Sequence, residues 1–217
     1  MDTSDKQQLI NHLLQYVTEN KAQKMAQVLE TRTRYITVVL EDLFQEHNAS
    51  AALRTCDIFG VQDVNVVQAQ YQFKAVDTIS MGASKWVDVQ SHSSITDAIT
   101  ALKANGYRIV ATSPHLQSCS LPDLPLDQKT ALLFGSEQTG LSEAALAQAD
   151  MFVKIPMFGF VESFNVSVSV ALCLYDIMTR LHKSEYDWKL SEEEKQDILL
   201  KWIKKVSKTA ELVDKQL

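Results

Sequence analysis

The stretch "SFNVSVSVAL", Ser163–Leu172, has two readings, and the choice between them decides the fold class. Phe164, Val166, Val168 and Val170 alternate with Ser163, Asn165, Ser167 and Ser169, the period of a half-buried strand. Followed past Leu172, however, the apolar positions run Val166, Val170, Leu174, Ile177, Met178 and Leu181. These are helical steps sustained for about four turns. A strand of that length would be exceptional. The spacing therefore predicts a helix ending near Leu181, with Asn165 or Ser163 as its cap. Its small residues, Ser167, Ser169 and Ala171, suit close packing on a neighbour.

Upstream of this helix, strands and helices alternate. "YITVVL" (Tyr35–Leu40) is β-branched and bounded by polar residues, a buried-strand pattern. "NASAALRTCDIFG" follows as a helix, with Asn48 able to cap it and Gly60 to end it. "VNVV" and "WVDV" read as short strands. "SSITDAITALKANG" is a helix, with Ser94 and Asp97 at capping-box spacing and Asn105-Gly106 as its stop. "YRIVAT" is a strand. A proline-containing loop over 113–128 leads to strand "TALLFG", a short helix capped by Ser142, and strand "MFVKIPM". The alternation implies an α/β fold with a mostly parallel sheet and helices on both faces. Ligands of such sheets sit beyond the carboxyl ends of the strands, here Thr112-Ser113, Phe134-Gly135 and Ile155-Pro156.

Helical patterns flank this core. Residues 4–30 carry helical spacing through Leu9, Leu13, Leu14, Val17, Met25, Val28 and Leu29. A further helix starts at Ser191, with Glu194 at the capping-box position, and is expected to run to the chain end. The division is thus an N-terminal helical extension (1–34), a core domain (35–182) and a C-terminal helical extension (183–217).

The 217 residues are 46% hydrophobic and 22% charged, an ordinary globular composition with room for a real core. No apolar run reaches membrane-spanning length, and residues 1–20 lack a signal-peptide core. Cys56, Cys119 and Cys173 are widely spaced and form no metal or CxxC pattern. They read as free thiols of a cytoplasmic protein, and no metal site is expected. The formal net charge of −6 weighs against a nucleic-acid partner. That sum hides its distribution, because Lys201, Lys204, Lys205 and Lys208 share one face of the last helix. Alone, such a stripe reads as a solvated helix face.

"GSEQTG" (Gly135–Gly140) has the glycine spacing of a phosphate-binding loop, but Leu141 stands where the lysine belongs. No GxGxxG follows a strand, so a dinucleotide site is unsupported. Taken singly, Asn48 and Asn165 read as helix caps and Glu137 as a loop acid.

The set "HNASAALRT", "LLFGSEQTGLS" and "IPMFGFVESFNVSVSVAL" resembles, in order and separation, the three motifs of the SpoU family of RNA ribose 2′-O-methyltransferases. The resemblance spans residues 35 to 180. It implies the SPOUT-type fold with a C-terminal trefoil knot, S-adenosylmethionine (SAM) bound in the knot, and a homodimer. Asn48 and Arg54 match the first motif, and Arg54 the family's proposed catalytic residue. Glu137 matches the acid of the second, and Ser163 and Asn165 the polar pair of the third. Thr112, Gly135, Ile155 and Phe164 fall where the family contacts SAM, largely through backbone. Phe164 departs from the family's usual leucine. Within the family the chain is most similar to the branch acting on guanosine 18 of the tRNA D-loop, whose terminal helices hold tRNA. The alternatives are another RNA ribose, at the tRNA wobble position or in rRNA, and a non-catalytic RNA-binding protein on the same scaffold. A guanidinium stays charged in proteins. Arg54 therefore either abstracts the hydroxyl proton with help from an RNA phosphate, or remains a cation that grips that phosphate and stabilises the developing alkoxide.

Overall fold

The structure, a computed structural model, describes residues 3–69, 80–113, 118–209 and 212. Part of the expected loop over 113–128 and the end of the expected terminal helix lie outside the described residues. The chain forms two compact units, residues 34–188 and a second unit of residues 1–33 with 189–217.

The larger unit is built on seven parallel strands. They are β1 (Ile36–Glu41), β2 (Asp63–Val67), β3 (Asp88–His92), β4 (Arg108–Thr112), β5 (Cys119–Ser120), β6 (Thr130–Phe134) and β7 (Met151–Lys154). Their order is β3-β2-β1-β6-β4-β7-β5. The central strands are buried on both sides, so they lack a polar face, as both-sides-covered parallel sheets do. Side-chain alternation assigns each residue to a layer. Val38 and Leu40 of β1 and Leu132 and Phe134 of β6 pack beneath α3 (Glu46–Ile58) and α6 (Val166–Leu181). Val39, Ala131 and Leu133 face the opposite layer of α4 (Ile95–Ala104) and α5 (Glu143–Gln148).

The opening stretch is the start of α6. Asn165 is its N-cap, its side chain accepting from the Ser167 amide at 2.9 Å. Val166, Val170, Leu174, Ile177, Met178 and Leu181 are its buried stripe. The strand-like alternation lasts only as long as the cap and first turn. Near the helix end Arg180 donates to the carbonyls of Leu124 (2.7 Å) and Leu121 (3.1 Å). It thereby fastens the loop that carries the chain from β5 to β6.

Several boundaries differ from the expectations. Asn48 does not cap α3. Gln45 is the N-cap residue, and Asn48 is buried in the first turn with its amide turned elsewhere. The third strand begins at Asp88 rather than Trp86. The two-residue β5 lies inside the expected loop. At Ser94 only half the capping box forms. Ser94 Oγ accepts from Asp97 N (3.1 Å), but the Asp97 carboxylate accepts from Ser93 Oγ instead.

In the smaller unit the expected single N-terminal helix is two, α1 (Thr3–Leu14) and α2 (Glu19–Leu29). The break is a tightened turn in which Tyr16 and Val17 bond back to the carbonyls of Leu13 and Leu14, before Thr18 extends at ψ 144. Both helices pack on α7 (Glu192–Val206), which opens with a full capping box between Ser191 and Glu194. Ile10, Leu13, Met25, Leu29, Ile198, Trp202 and Ile203 are its core. The Arg32 guanidinium lies 5.3 Å over the Trp202 ring, and Lys6 pairs with Asp197 at 2.6 Å. Burial of Trp202 and Ile203 leaves Lys201, Lys205 and Lys208 exposed and Lys204 half-buried.

Candidate active site

Beyond the carboxyl ends of β6, β4 and β7, three neighbours in the sheet, the loops enclose a cavity of about 730 Å³. That size suits a nucleoside-sized ligand. The sheet order explains its place. β6, β4 and β7 are neighbours, so the segments that leave their carboxyl ends meet there, and Gln45 and Asn48 at the start of α3 join them from the β1 side.

All four positions expected to hold the cofactor line this cavity: Thr112, Gly135, Ile155 and Phe164. The Thr112 hydroxyl donates to Leu133 O (2.8 Å). Gly135 is the point of closest approach. A Cβ there would lie 2.1 Å from Gly140 C and 2.2 Å from Leu141 N. The loop after β6 doubles back on it, with Ser136 and Gly140 exchanging amide bonds at 3.1 and 2.9 Å. Leu141, Met157 and Phe164 add apolar surface to the lining, and Ser136, Gln138 and Ser163 add polar groups. A flat heteroaromatic group with a polar tail fits such a mixture.

Asn48, Glu137 and Asn165 also line the cavity, joined in one relay across three distant chain segments. Asn48 Nδ2 donates to Glu137 Oε1 (2.6 Å), and Asn165 Nδ2 donates to Asn48 Oδ1 (3.1 Å). Glu137 further accepts from the Phe44 amide (3.0 Å) and the Gln45 amide (3.4 Å). Partial burial pushes the Glu137 carboxyl up. The bonds from Asn48, the loop backbone, Phe44 and Gln45 outweigh it and hold the group below the usual carboxylate range. Asn165 thus does more than cap a helix, Asn48 serves the relay rather than a cap, and Glu137 is not a free loop acid.

The sign of that shift sets a pH dependence. A carboxyl with a depressed folded pKa adds stability above its unfolded pKa, and this is lost as pH falls through the folded value. Glu137→Gln should cost about 1–2 kcal/mol at pH 7, below the full charged-bond range because Glu137 is only half-buried. The gap to wild type should close below about pH 4. Thermal unfolding of both proteins across pH checks this, and a gap unchanged at pH 3 contradicts it.

The remaining two residues sit apart from the relay. Ser163 lines the cavity but is exposed and has no hydrogen-bond partner among the described residues. Arg54 is not among the lining residues. Six positions after Asn48, it emerges on the exposed side of α3 and makes no ion pair or hydrogen bond among the described residues. One further residue, Glu41, had no signal in the sequence. It is a buried carboxylate at the end of β1, bonded to Ser142.

A parallel sheet with a ligand-sized cavity beyond its strand ends defines an α/β protein with a nucleoside-sized site. Residues 35–175 match the SpoU rRNA Methylase family, and the chain belongs to that family. It is 40% identical to a tRNA (guanosine(18)-2'-O)-methyltransferase of Borreliella burgdorferi, over 94% of each chain. To the enzyme of the same name from Thermus thermophilus it is 37% identical over 87% of its own length and 98% of the relative's. Among solved structures it is similar to the A. aeolicus TrmH/SpoU tRNA modifying enzyme, with a TM-score of 0.79 and 33% identity. That match covers 87% of this chain and 97% of the other.

Proposed function

We propose that this chain transfers a methyl group from SAM to the 2′-hydroxyl of guanosine 18 in tRNA, as a cytoplasmic homodimer. The observation that carries the reading is the convergence of Thr112, Gly135, Ile155 and Phe164 with the Asn48–Glu137–Asn165 relay on one cavity, in a chain whose relatives bear that name along their length. Bound there, SAM supplies a methyl already activated on a sulfonium. The protein's own task is to position the hydroxyl and manage its proton. Arg54 remains a cation, grips the phosphate beside the target ribose and stabilises the developing alkoxide. Its freedom from partners among the described residues supports that role. Asn48, Glu137 and Asn165 hold the cavity wall, and Ser163 meets the substrate.

The core over 35–182 acts as the methyltransferase domain, and the extensions 1–34 and 183–217 recruit tRNA through the α7 lysines. A trefoil knot in the core is supported by the sheet order. β6 inserts between β1 and β4 after β5 has run to the far edge, and α6 then packs back against α3. The dimer is supported by α6, where Val168 and Tyr175 are exposed apolar residues and Ser167 and Ala171 are small. No helix among the described residues is long and apolar enough to cross a membrane.

Three measurements test the reading. Calorimetry with SAM in excess EDTA should show binding, and mapping 2′-O-methylated nucleotides in unmodified tRNA treated with the protein should place the mark at guanosine 18. A mark at the wobble ribose, or methylation of rRNA alone, contradicts the assignment. Light scattering at micromolar concentration should give twice the 24.4 kDa chain mass, and a monomer refutes the dimer.

A further inference from the structure

Glu41 closes β1 as a residue only 5% exposed, with no cation paired with it among the described residues. A buried carboxylate in that position is costly unless its oxygens are hydrogen-bonded. Both are, and by a single residue 101 positions away: Ser142 Oγ donates to Oε1 (2.6 Å) and Ser142 N to Oε2 (2.9 Å). The same hydroxyl caps α5, accepting from Ala145 N at 3.1 Å.

The register gives this pair its meaning. Leu40 lies beside Phe134, so Glu41 stands next to the point where the chain leaves β6 at Gly135. The loop departs there, doubles back through the Ser136–Gly140 bridge, and is caught again at Ser142. Glu137 of that loop reaches the other way, to the amides of Phe44 and Gln45 just after Glu41. Two carboxylates, one from each segment, thus clasp the loop after β1 to the loop after β6 in opposite directions. Glu137 fastens the middle of the loop and Glu41 its far end. Leu141, adjacent to the Glu41 anchor, lines the cavity.

We infer that Glu41 is a positioning residue for the cofactor: through Ser142 it fixes the loop 135–141 in the shape that receives SAM, an inference that rests on the cavity being the SAM site. Glu41 touches neither ligand nor reacting atoms. Its loss should therefore appear in cofactor affinity and loop order before it appears in turnover.

The test compares Glu41→Gln, Ser142→Ala and Ser142→Thr with the unsubstituted full chain, each first checked for folding by circular dichroism. Glutamine keeps the shape but brings an NH2 to a site that needs two acceptors. Alanine removes the hydroxyl, and threonine restores it. Glu41→Gln should weaken SAM binding by about tenfold in calorimetry, the scale of a lost charge-assisted bond. It should raise the KM for SAM alike while leaving kcat and the KM for tRNA within about threefold. Amide hydrogen exchange over 136–142 should quicken in the cofactor-free variant. Ser142→Ala should move in the same direction, Ser142→Thr should return near wild type, and the Glu41→Gln, Ser142→Ala pair should be less than additive. Wild-type SAM affinity and exchange in Glu41→Gln, or a fall in kcat with the KM for SAM unmoved, would overturn the inference. Should Glu41→Gln not fold, Ser142→Ala at the surface decides it by the same readings. Absence of SAM binding by the unsubstituted protein removes the reading of the cavity and this inference with it. Binding that both variants match removes this inference alone.

Discussion

Gly135→Ala should lower SAM affinity by ~10²-fold, the upper end of the cost of overpacking a tightly filled site. The added Cβ would lie 2.1 Å from Gly140 C, 2.2 Å from Leu141 N and 2.3 Å from Gly140 O. All three atoms are backbone, so no side-chain rotation relieves the overlap. The returning strand of the loop must move, taking the Ser136–Gly140 bridge and the Ser142 anchor with it. Overpacking where side chains can yield costs about 1–3 kcal/mol, and here the yielding part is the cavity floor itself. Gly140→Ala is the control. Gly140 sits at φ +69 with open space around its would-be Cβ, so alanine there should cost only the left-handed strain, about 1–2 kcal/mol. The two alanines thus separate close approach from conformation. Calorimetry with SAM on both variants reads the difference, and equal affinities would dismiss the crowding at Gly135.

The glycine spacing of "GSEQTG" was visible in the sequence, yet its reason was not. Spacing marks a turn, whereas the atoms that forbid a side chain at Gly135 belong to the returning loop. The same limit explains Asn48. A polar residue ahead of an apolar run is a legitimate cap candidate, but its partner here is Glu137, 89 positions on, and local pattern carries no term for that. Glu41 was less legible still, because a carboxylate at a strand end is the commonest of surface features. Only burial beside Ser142 distinguishes it.

Elements whose signal is local and long were legible. α6 shows its stripe over its full length, and the capping box of α7 lies within four residues. The central strands carry enough β-branched residues to be read singly. β5 has two residues and owes its pairing with β7 to the crossover, so periodicity could not find it. The break between α1 and α2 falls at Thr18, where no glycine or proline marks it.

Arg54→Ala should lower methyl transfer by about 10²–10³-fold while leaving SAM affinity nearly intact. The two proposed roles fall on separate parts of the molecule, since Arg54 is not among the residues that line the cavity. The cavity lies at the strand ends, lined by Gly135, Ile155 and Phe164, whereas Arg54 projects from the exposed side of α3. Removing it leaves every described hydrogen bond of the Asn48–Glu137–Asn165 relay in place. A group that acts on the ribose and its phosphate only as charge develops lowers kcat without changing cofactor binding. Loss of one positioned donor of this kind costs about 10²–10³ in kcat. Lysine restores the charge but not the planar fork that grips a phosphate bidentately, so Arg54→Lys should recover little of the rate. A residue needed only as a solvated cation would accept lysine, and a residue needed for the fold would lose SAM binding as well. Transfer of labelled methyl from SAM to unmodified tRNA, run beside SAM calorimetry on the same variants, distinguishes the three. Near-normal turnover in Arg54→Ala removes the arginine from the mechanism, and full rescue by lysine removes the fork.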